Sequence, residues 1–430
     1  MRKDLIDKFN EINKILQFKY GLRDKNDRID WLSSQLLRLS KNVNATNDDV
    51  KDAVNYLSEK GEQSFDVDNK TIDHLHYLIK SVYNFANGDG FTGEDVIGIA
   101  DNQFVTNKGK SDNGQVFTPR HVAQLMADVI GVDSDDVVLD ACAGDGALLT
   151  ESLTKTSHLV GVEIDSNVFP RLLTNLAIHD NADYHLYLGD MLDSDFKPDF
   201  SNVTKIMLNP PYEKRYHPIE IITRLFDMVP SGTVAAVLLP DNKLEKEGKR
   251  KVRNLLTKNK LTKIIKLPKN VFNASVEVSL FVFVTGESTE DNDVFTCYIK
   301  DDGFETVKNQ GRQDVHNQWP SIETKWLDII KNEKLDDTCS LIKPDLKDMT
   351  GLSWPKPEKP FTITTEDFMR TVMDYELFKA GVDVKQLRET IADEVLYQSD
   401  ITELGDKVLI AIPKKTVKPL VDVKNEKITL

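Results

Sequence analysis

Cysteine is scarce: the 430 residues hold three, Cys142, Cys297 and Cys339, far apart. That spacing excludes a disulfide scaffold and any close-set cysteine metal motif, and it fits a reducing cytoplasm. Long apolar runs are missing too. No stretch approaches the roughly 18–20 apolar residues that span a bilayer, and no leader pattern opens the sequence. A soluble, cytoplasmic protein with no membrane partner is expected. A surplus of positive charge is also lacking. Lys and Arg number 55 against 70 Asp and Glu, a net charge of −15. This argues against a surface that grips a polyanion unaided. The eight histidines are scattered, so no metal site is expected.

What is present centres on Asn209-Pro210-Pro211-Tyr212, directly after the apolar run Ile206-Met207-Leu208. The Asn side-chain oxygen and the Pro210 carbonyl can both accept from one NH₂ group. The prolines fix φ and remove backbone donors. The Tyr face can stack on the ring that carries the amine. An amine so oriented can attack an electrophilic methyl group. Read alone, the tetrapeptide is also compatible with a plain turn after a buried strand.

Upstream, Val137–Asp140 reads as a strand, Ala141-Cys142-Ala143-Gly144-Asp145-Gly146 as a glycine turn and Ala147-Leu148-Leu149 as a helix start. Glycines there let backbone approach a ligand. A second strand, Leu159–Val162, ends in Glu163, placed for ribose hydroxyls. A third, Tyr184–Leu188, is followed by Gly189-Asp190-Met191. Asp140, Glu163, Asp190 and Asn209 thus fall at strand ends along one edge of a parallel sheet, where such folds bind ligands. Before them, Gly114-Gln115-Val116-Phe117-Thr118-Pro119-Arg120 leads into an amphipathic helix, with Thr118 as N-cap and Pro119 at its first position. Phe117 is either a hydrophobic staple or an aromatic wall of the cofactor site.

In this order, Phe117-Thr118-Pro119, the Asp140–Gly146 turn, Glu163-Ile164-Asp165, Gly189-Asp190 and Asn209–Tyr212 resemble the N6-adenine DNA methyltransferases. The modification subunits of type I restriction-modification systems are the nearest likeness. Gly232–Pro240, Ile264–Phe272, Val278–Phe283, Asp302-Gly303-Phe304 and Gly311–Asp314 extend the resemblance over roughly residues 100 to 330. The fold so implied is α/β: a Rossmann-like S-adenosylmethionine-dependent methyltransferase sheet, an N-terminal helical domain and a mixed, mostly helical C-terminal region. The resemblance places the cofactor S-adenosyl-L-methionine among Phe117, Thr118, Pro119, Asp140, Ala141, Gly144, Gly146, Glu163, Ile164, Asp190, Met191 and Asn209. It assigns the target adenine to Asn209, Pro210, Pro211 and Tyr212. DNA and a separate DNA-specificity subunit are the implied partners, in a prokaryotic or phage setting; a restriction subunit and a homodimer within a larger complex stay open. The glycine turn departs from the family, which usually has Pro after the Asp and Cys beside the first Gly. Here Ala141 follows Asp140, Cys142 stands one place early, and Asp145 separates the glycines.

Other readings share the tetrapeptide. A solitary DNA methyltransferase, a glutamine or RNA methyltransferase, and a retained fold serving as a scaffold all remain open. Residues 241–270 hold 11 Lys and Arg against 3 acids, a net +8. Lys249, Arg250, Lys251 and Arg253 could meet phosphates there, or simply solvate an amphipathic helix. Asp241–Lys246 suits a strand-to-helix loop better than a nuclease motif.

Three domains are expected: 1–98, 99–300 and 301–430. The first carries apolar stripes at helical spacing, such as Leu5, Phe9, Ile12 and Leu16. Residues 100–114 read as a polar loop. Pro344, Pro355, Pro357 and Pro360 mark a turn-rich linker. The stripes Phe368, Val372, Leu377, Phe378 and Leu387, Ile391, Val395 follow, and then the strand-like Val408–Ile412.

Overall fold

The computed structural model describes residues 2–44, 47–88, 95–104, 118–272, 276–307, 311–355, 365–383, 385–387 and 389, and three short strands between 408 and 428. Phe117, most of the polar loop, Pro357, Pro360, Ile391 and Val395 lie outside the described residues. The chain divides into two units, Met1–Pro355 and Lys356–Leu430.

The larger unit begins with five helices: α1 (Arg2–Phe18), α2 (Lys25–Leu39), α3 (Asp48–Gly61), α4 (Asn69–Ala86) and α5 (Val96–Gln103). Short polar side chains start four of them. Asp24, Asn47, Asp68 and Asp95 each accept hydrogen bonds from backbone N–H groups of the first turn. The stripe of α1 is buried as its spacing predicts, with Leu5, Phe9, Ile12 and Leu16 inside. Each such side chain contributes about 1.5–3 kcal/mol on burial. Helix α5 runs on to Gln103, so Ala100–Gln103 are helical and not loop. The expected boundary at 98/99 therefore cuts a helix.

Next come α6 (Arg120–Val129), β1 (Val137–Asp140), α7 (Ala147–Ser152), β2 (His158–Glu163), α8 (Phe169–Ala177), β3 (Asp183–Leu188), β4 (Lys205–Leu208), α9 (Pro218–Met228) and β5 (Val234–Pro240). Then follow α10 (Lys243–Lys246), α11 (Lys249–Lys258), β6 (Asn259–Lys266), β7 (Val278–Thr285), β8 (Val294–Tyr298), β9 (Glu305–Val307), β10 (Gly311–Gln313), α12 (Trp319–Lys331) and β11 (Cys339–Ile342). Nine strands form one sheet in the order β11-β8-β6-β7-β5-β4-β1-β2-β3. Strands β1 to β5 pair in parallel. Strand β7 enters between β5 and β6, antiparallel to both. The α/β expectation holds, with helices covering a largely parallel sheet.

Both faces of the sheet are buried, and alternation along a strand decides which core a residue joins. In β5, Ala235, Val237 and Leu239 enter one core while Ala236 and Leu238 enter the other. Residues 301–355 belong to the same unit as the sheet, since β11 pairs with β8. The division at 355/356 falls within the proline-marked stretch.

The smaller unit holds α13 (Thr365–Lys379) and a sheet of β12 (Val408–Leu409), β13 (Leu420–Asp422) and β14 (Lys427–Ile428). On α13, Met369, Val372, Met373, Tyr375 and Phe378 are exposed.

Candidate active site

The carboxyl ends of β1, β2, β3 and β4 share one edge, because the four strands run in parallel and in register. Asp140, Glu163, Asp190 and Asn209 are brought together there, as their order along the chain predicts. Each carboxylate is oriented by backbone donors. Asp140 Oδ1 accepts from Cys142 N at 2.9 Å. Asp190 Oδ1 accepts from Leu192 N at 2.8 Å. Glu163 takes one bond on each oxygen, from Gly144 N and Asp165 N, both 2.8 Å. A carboxylate oxygen has two lone pairs, so every group keeps acceptor capacity for a ligand.

Burial pushes the Asp140 carboxyl up to about 7; the Cys142 N–H opposes this, and the nearby Glu163 charge adds to it. Burial also raises Glu163, against the pull of its backbone donors. Two buried acids in mutual repulsion favour a cation or a hydroxyl-rich partner between them. The glycine turn leaves room for one. Gly144 has φ +54, and a Cβ placed on it would meet no atom within 4 Å. Gly146, at φ +93, has no such room: its Cβ would stand 2.8 Å from the Leu172 side chain. Gly146 is thus required for packing and conformation, while Gly144 borders open space. Ala141 is buried behind the turn. Exposed Ile164 and buried Met191 supply apolar surface beside the acids of neighbouring strands.

Asp145, the unusual residue between the glycines, is buried and pushed up to about 7 by burial and then by Asp95 and Asp101, with Arg171 offsetting part of this. It belongs to a contact with the helical layer. Asn175 of α8 donates to the Asp145 carbonyl at 2.8 Å and to Asp95 Oδ1 at 2.7 Å. Arg171 donates to Asp30 of α2 at 2.8 Å.

The Asn209–Tyr212 segment leaves β4 with Pro210 buried and Asn209, Pro211 and Tyr212 half-buried. The Tyr212 ring packs against the larger apolar core. Its buried hydroxyl makes no hydrogen bond among the described residues, and burial raises its pKa. Lys243 approaches the Tyr212 carbonyl at 3.4 Å and pairs with Glu247 at 2.9 Å. Thr118 differs from expectation. Pro119, and not Thr118, takes the cap position of α6, and it makes no side-chain cap. The Thr118 hydroxyl oxygen instead accepts from Asn209 Nδ2 at 2.9 Å. The ring of Pro119 fixes φ at −60°, and its ψ of 140° is extended. Thr118 is thereby turned toward β4.

Farther along this edge, β5 ends at Pro240 and leads into Asp241. Lys266, at the end of β6, binds Asp241 at 2.8 Å and Glu277 at 2.6 Å, and Ser279 Oγ donates to Asp241 at 2.7 Å. Asp241–Lys246 is the loop and short helix its position predicts. In the basic stretch, α11 buries Val252, Leu255 and Leu256. Lys251 pairs with Glu220, and Arg253 donates to the Leu346 and Lys347 carbonyls. Arg253 is thus occupied by structure.

Residues 95–229 and 221–318, together just over half of the chain, match the N-6 DNA methylase family. The chain belongs to that family. One relative, the type II restriction enzyme and methyltransferase RM.BcgI of Heyndrickxia coagulans, is 25% identical over 321 residues, covering 67% of this chain and 50% of the relative. Another, the type I restriction enzyme StySPI methylase subunit of Salmonella potsdam, is 26% identical over 235 residues, 44% of each. This N-6 DNA methylase chain spans about half the length of the curated relatives it matches. Among solved structures, the type I restriction-modification methyltransferase subunit of Streptococcus thermophilus aligns with TM-score 0.50 at 18% identity, covering 79% of this chain and 76% of that one. A chain from a type I R-M system aligns with TM-score 0.56 at 13% identity, covering 93% and 99%. These likenesses carry the fold. Among the described residues no helix is long and apolar enough to cross a membrane, and no cluster of three or more His, Cys, Asp or Glu could hold a metal ion.

Three contacts had no sequence signal: Thr118 with Asn209, Lys243 with Tyr212, and buried His121 and Asp302 with half-buried Arg312. His121 lies 3.2 Å from Asp302 and stacks on Phe304 at 3.9 Å. Burial would raise Asp302, but its bonds from His121 and Arg312 hold it down at about 2. The Asp302-Gly303-Phe304 and Gly311-Arg312 segments therefore fasten β9 and β10 to α6, which carries Thr118 at its entry.

Proposed function

We propose that the chain transfers a methyl group from S-adenosylmethionine to N6 of adenine in DNA, as the modification subunit of a type I-like restriction-modification system. The observation that carries this reading is the placement of Asn209-Pro210-Pro211-Tyr212 beside three acidic strand ends on one sheet edge. The acids suit the cofactor: Asp140 would hold its ammonium end beside the open Gly144 turn, Glu163 the ribose, and Asp190 the adenine amine, with Ile164 and Met191 against the ring. The cofactor, when bound, supplies an activated methyl group and its leaving group. Phe117 would add to the same pocket.

The chain's own residues would orient. An exocyclic adenine amine is a poor nucleophile because its lone pair is delocalised into the ring. Asn209 Oδ1 and the Pro210 carbonyl, accepting both N–H groups, favour tetrahedral nitrogen and aim the lone pair. Tyr212 offers a stacking face to a base flipped from the helix. The departing proton can pass to water, so no titrating base is required. Orientation is the main catalytic device. The test is mass analysis of nucleosides from cells with and without the gene; equal N6-methyladenine in both overturns the reading.

Cofactor affinity should depend on pH. Only ionised Asp140 attracts an ammonium, and its carboxyl titrates near 7. Below that pH binding must release a proton, so affinity should fall by up to about tenfold per pH unit. Calorimetry at pH 6 and 8 reads this, and Glu163→Ala should weaken binding at both. An affinity flat between pH 6 and 8 would remove Asp140 from the ammonium site.

The chain alone should methylate DNA poorly. Its charge of −15 opposes the polyanion. The basic stretch neutralises few phosphates, more so with Arg253 bound to backbone carbonyls and Lys251 to Glu220. A DNA-specificity subunit would supply the missing contacts. Incubation of the purified chain with genomic DNA at moderate salt checks this; efficient, site-specific methylation without a partner would favour a solitary enzyme.

A further inference from the structure

We infer that Thr118 is a positioning residue for the methyl-accepting amine rather than a cofactor contact: its hydroxyl oxygen holds the NH₂ end of Asn209, so that the carbonyl end of the same amide is the end offered to the target. The inference rests on the function proposed above and adds a residue to its orienting machinery.

A side-chain amide has two chemically opposite ends on one rigid plane. An amine target presents N–H donors and needs the oxygen. If the plane turned by half a revolution, an NH₂ would face an NH₂, and the attacking nitrogen would lose the acceptor that shapes it. A hydroxyl that accepts from the NH₂ end turns the oxygen to the target, and one that donated to the oxygen would do the reverse, so the direction of this bond sets the end presented. In this structure Asn209 Nδ2 donates to Thr118 Oγ1 at 2.9 Å. The two residues stand 91 positions apart, on β4's exit and α6's entry. Thr118 does not cap α6, because Pro119 occupies that position. Its own placement is braced: Arg120, two positions on, donates to buried Glu151 of α7 at 2.9 Å, and His121 lies 3.2 Å from buried Asp302. The entry of α6 is thus a rigid support for one hydrogen bond.

The experiment uses the complete complex, purified from the native host through a tag on this chain. Genomic DNA from a strain lacking the gene serves as acceptor, and labelled S-adenosylmethionine as donor. Thr118→Val keeps the shape and removes the lone pair. It should lower single-turnover methyl transfer about tenfold, the value of one neutral hydrogen bond, with cofactor Kd within about twofold of wild type. Thr118→Ser restores the hydroxyl and should keep transfer within about threefold of wild type. The inference is overturned if Thr118→Val raises the cofactor Kd while saturated turnover stays unchanged, which makes Thr118 a cofactor contact. It is equally overturned if Thr118→Ser loses as much transfer as a hydroxyl-free side chain would, which assigns the effect to the methyl group. Full activity of Asn209→Ala in the same assay would instead refute the amine-orienting reading itself.

Discussion

Asn209→Ala should reduce methyl transfer by at least about 10²–10³, the scale on which one preorganised polar contact to a reacting centre acts, and leave S-adenosylmethionine affinity near wild type. The side chain leaves β4 at the carboxyl edge, half-buried, with its amide tied to Thr118. The acids proposed to hold the cofactor belong to β1, β2 and the turn after β3, and their described donors are the backbone N–H groups of Cys142, Gly144, Asp165 and Leu192. Truncation removes an acceptor for the target amine and spares those carboxylates. Tyr212→Ala should lower activity through weaker capture of the flipped base, again without touching cofactor affinity. Calorimetry for the cofactor, beside radiolabel transfer for the reaction, separates the two effects. Wild-type transfer rates in Asn209→Ala would refute the orientation mechanism; lost cofactor affinity would move Asn209 into the cofactor site.

Lys266→Met should destabilise the larger unit by about 3–5 kcal/mol, the usual cost of leaving one member of a buried ion pair alone. The Lys266 side chain is 3% exposed and that of Asp241 6%. The ammonium binds Asp241 and Glu277 and lies 5.5 Å from the Tyr298 ring centre and 5.8 Å from that of Trp354. Burial alone would lower its pKa, yet the two carboxylates raise it above the ordinary lysine value. Methionine fills much of the same volume, so most of the loss is electrostatic. It leaves Asp241 buried without its cation, with Ser279 as its main partner. Adding Asp241→Asn should recover most of the stability, since the pair would then be replaced and not broken. Urea unfolding of the three variants measures this. A shift below about 1 kcal/mol in Lys266→Met would mean that the pair relaxes into water on mutation.

The placement of the candidate site residues could be read from the chain because parallel strands expose their carboxyl ends together. Short apolar runs closed by Asp140, Glu163, Asp190 and Asn209 had to line one edge once they were strands of one sheet. Helical stripes such as that of α1 were equally legible, since burial follows the period. Three features were not. Thr118 looks like a cap by residue type, and only the placement of Pro119 frees its hydroxyl for a partner on a distant strand. The four-residue β11 has no periodicity to betray it, and its pairing with β8 is long-range, so the extent of the sheet past residue 300 was missed. The end of α5 was hidden by polar residues. Asp101, for instance, looks like loop but is buried and paired with Lys25 at 2.6 Å.

The two hydrogen bonds that Asn175 donates, to the Asp145 carbonyl and to Asp95, have a consequence for how the molecule comes apart. The Asn175 amide joins the glycine turn to the entry of α5, and Arg171, also on α8, reaches Asp30 of α2. Asn42 and Asn87 bind the carbonyls of Ala182 and Ile178 from the other side. The glycine turn therefore shares its cooperative unfolding with the amino-terminal helices. The family match begins at residue 95, but the cooperative unit does not: a fragment cut there would keep the sequence motifs and the Asn175 contacts while leaving Arg171 without Asp30 and Asn26, its partners on α2.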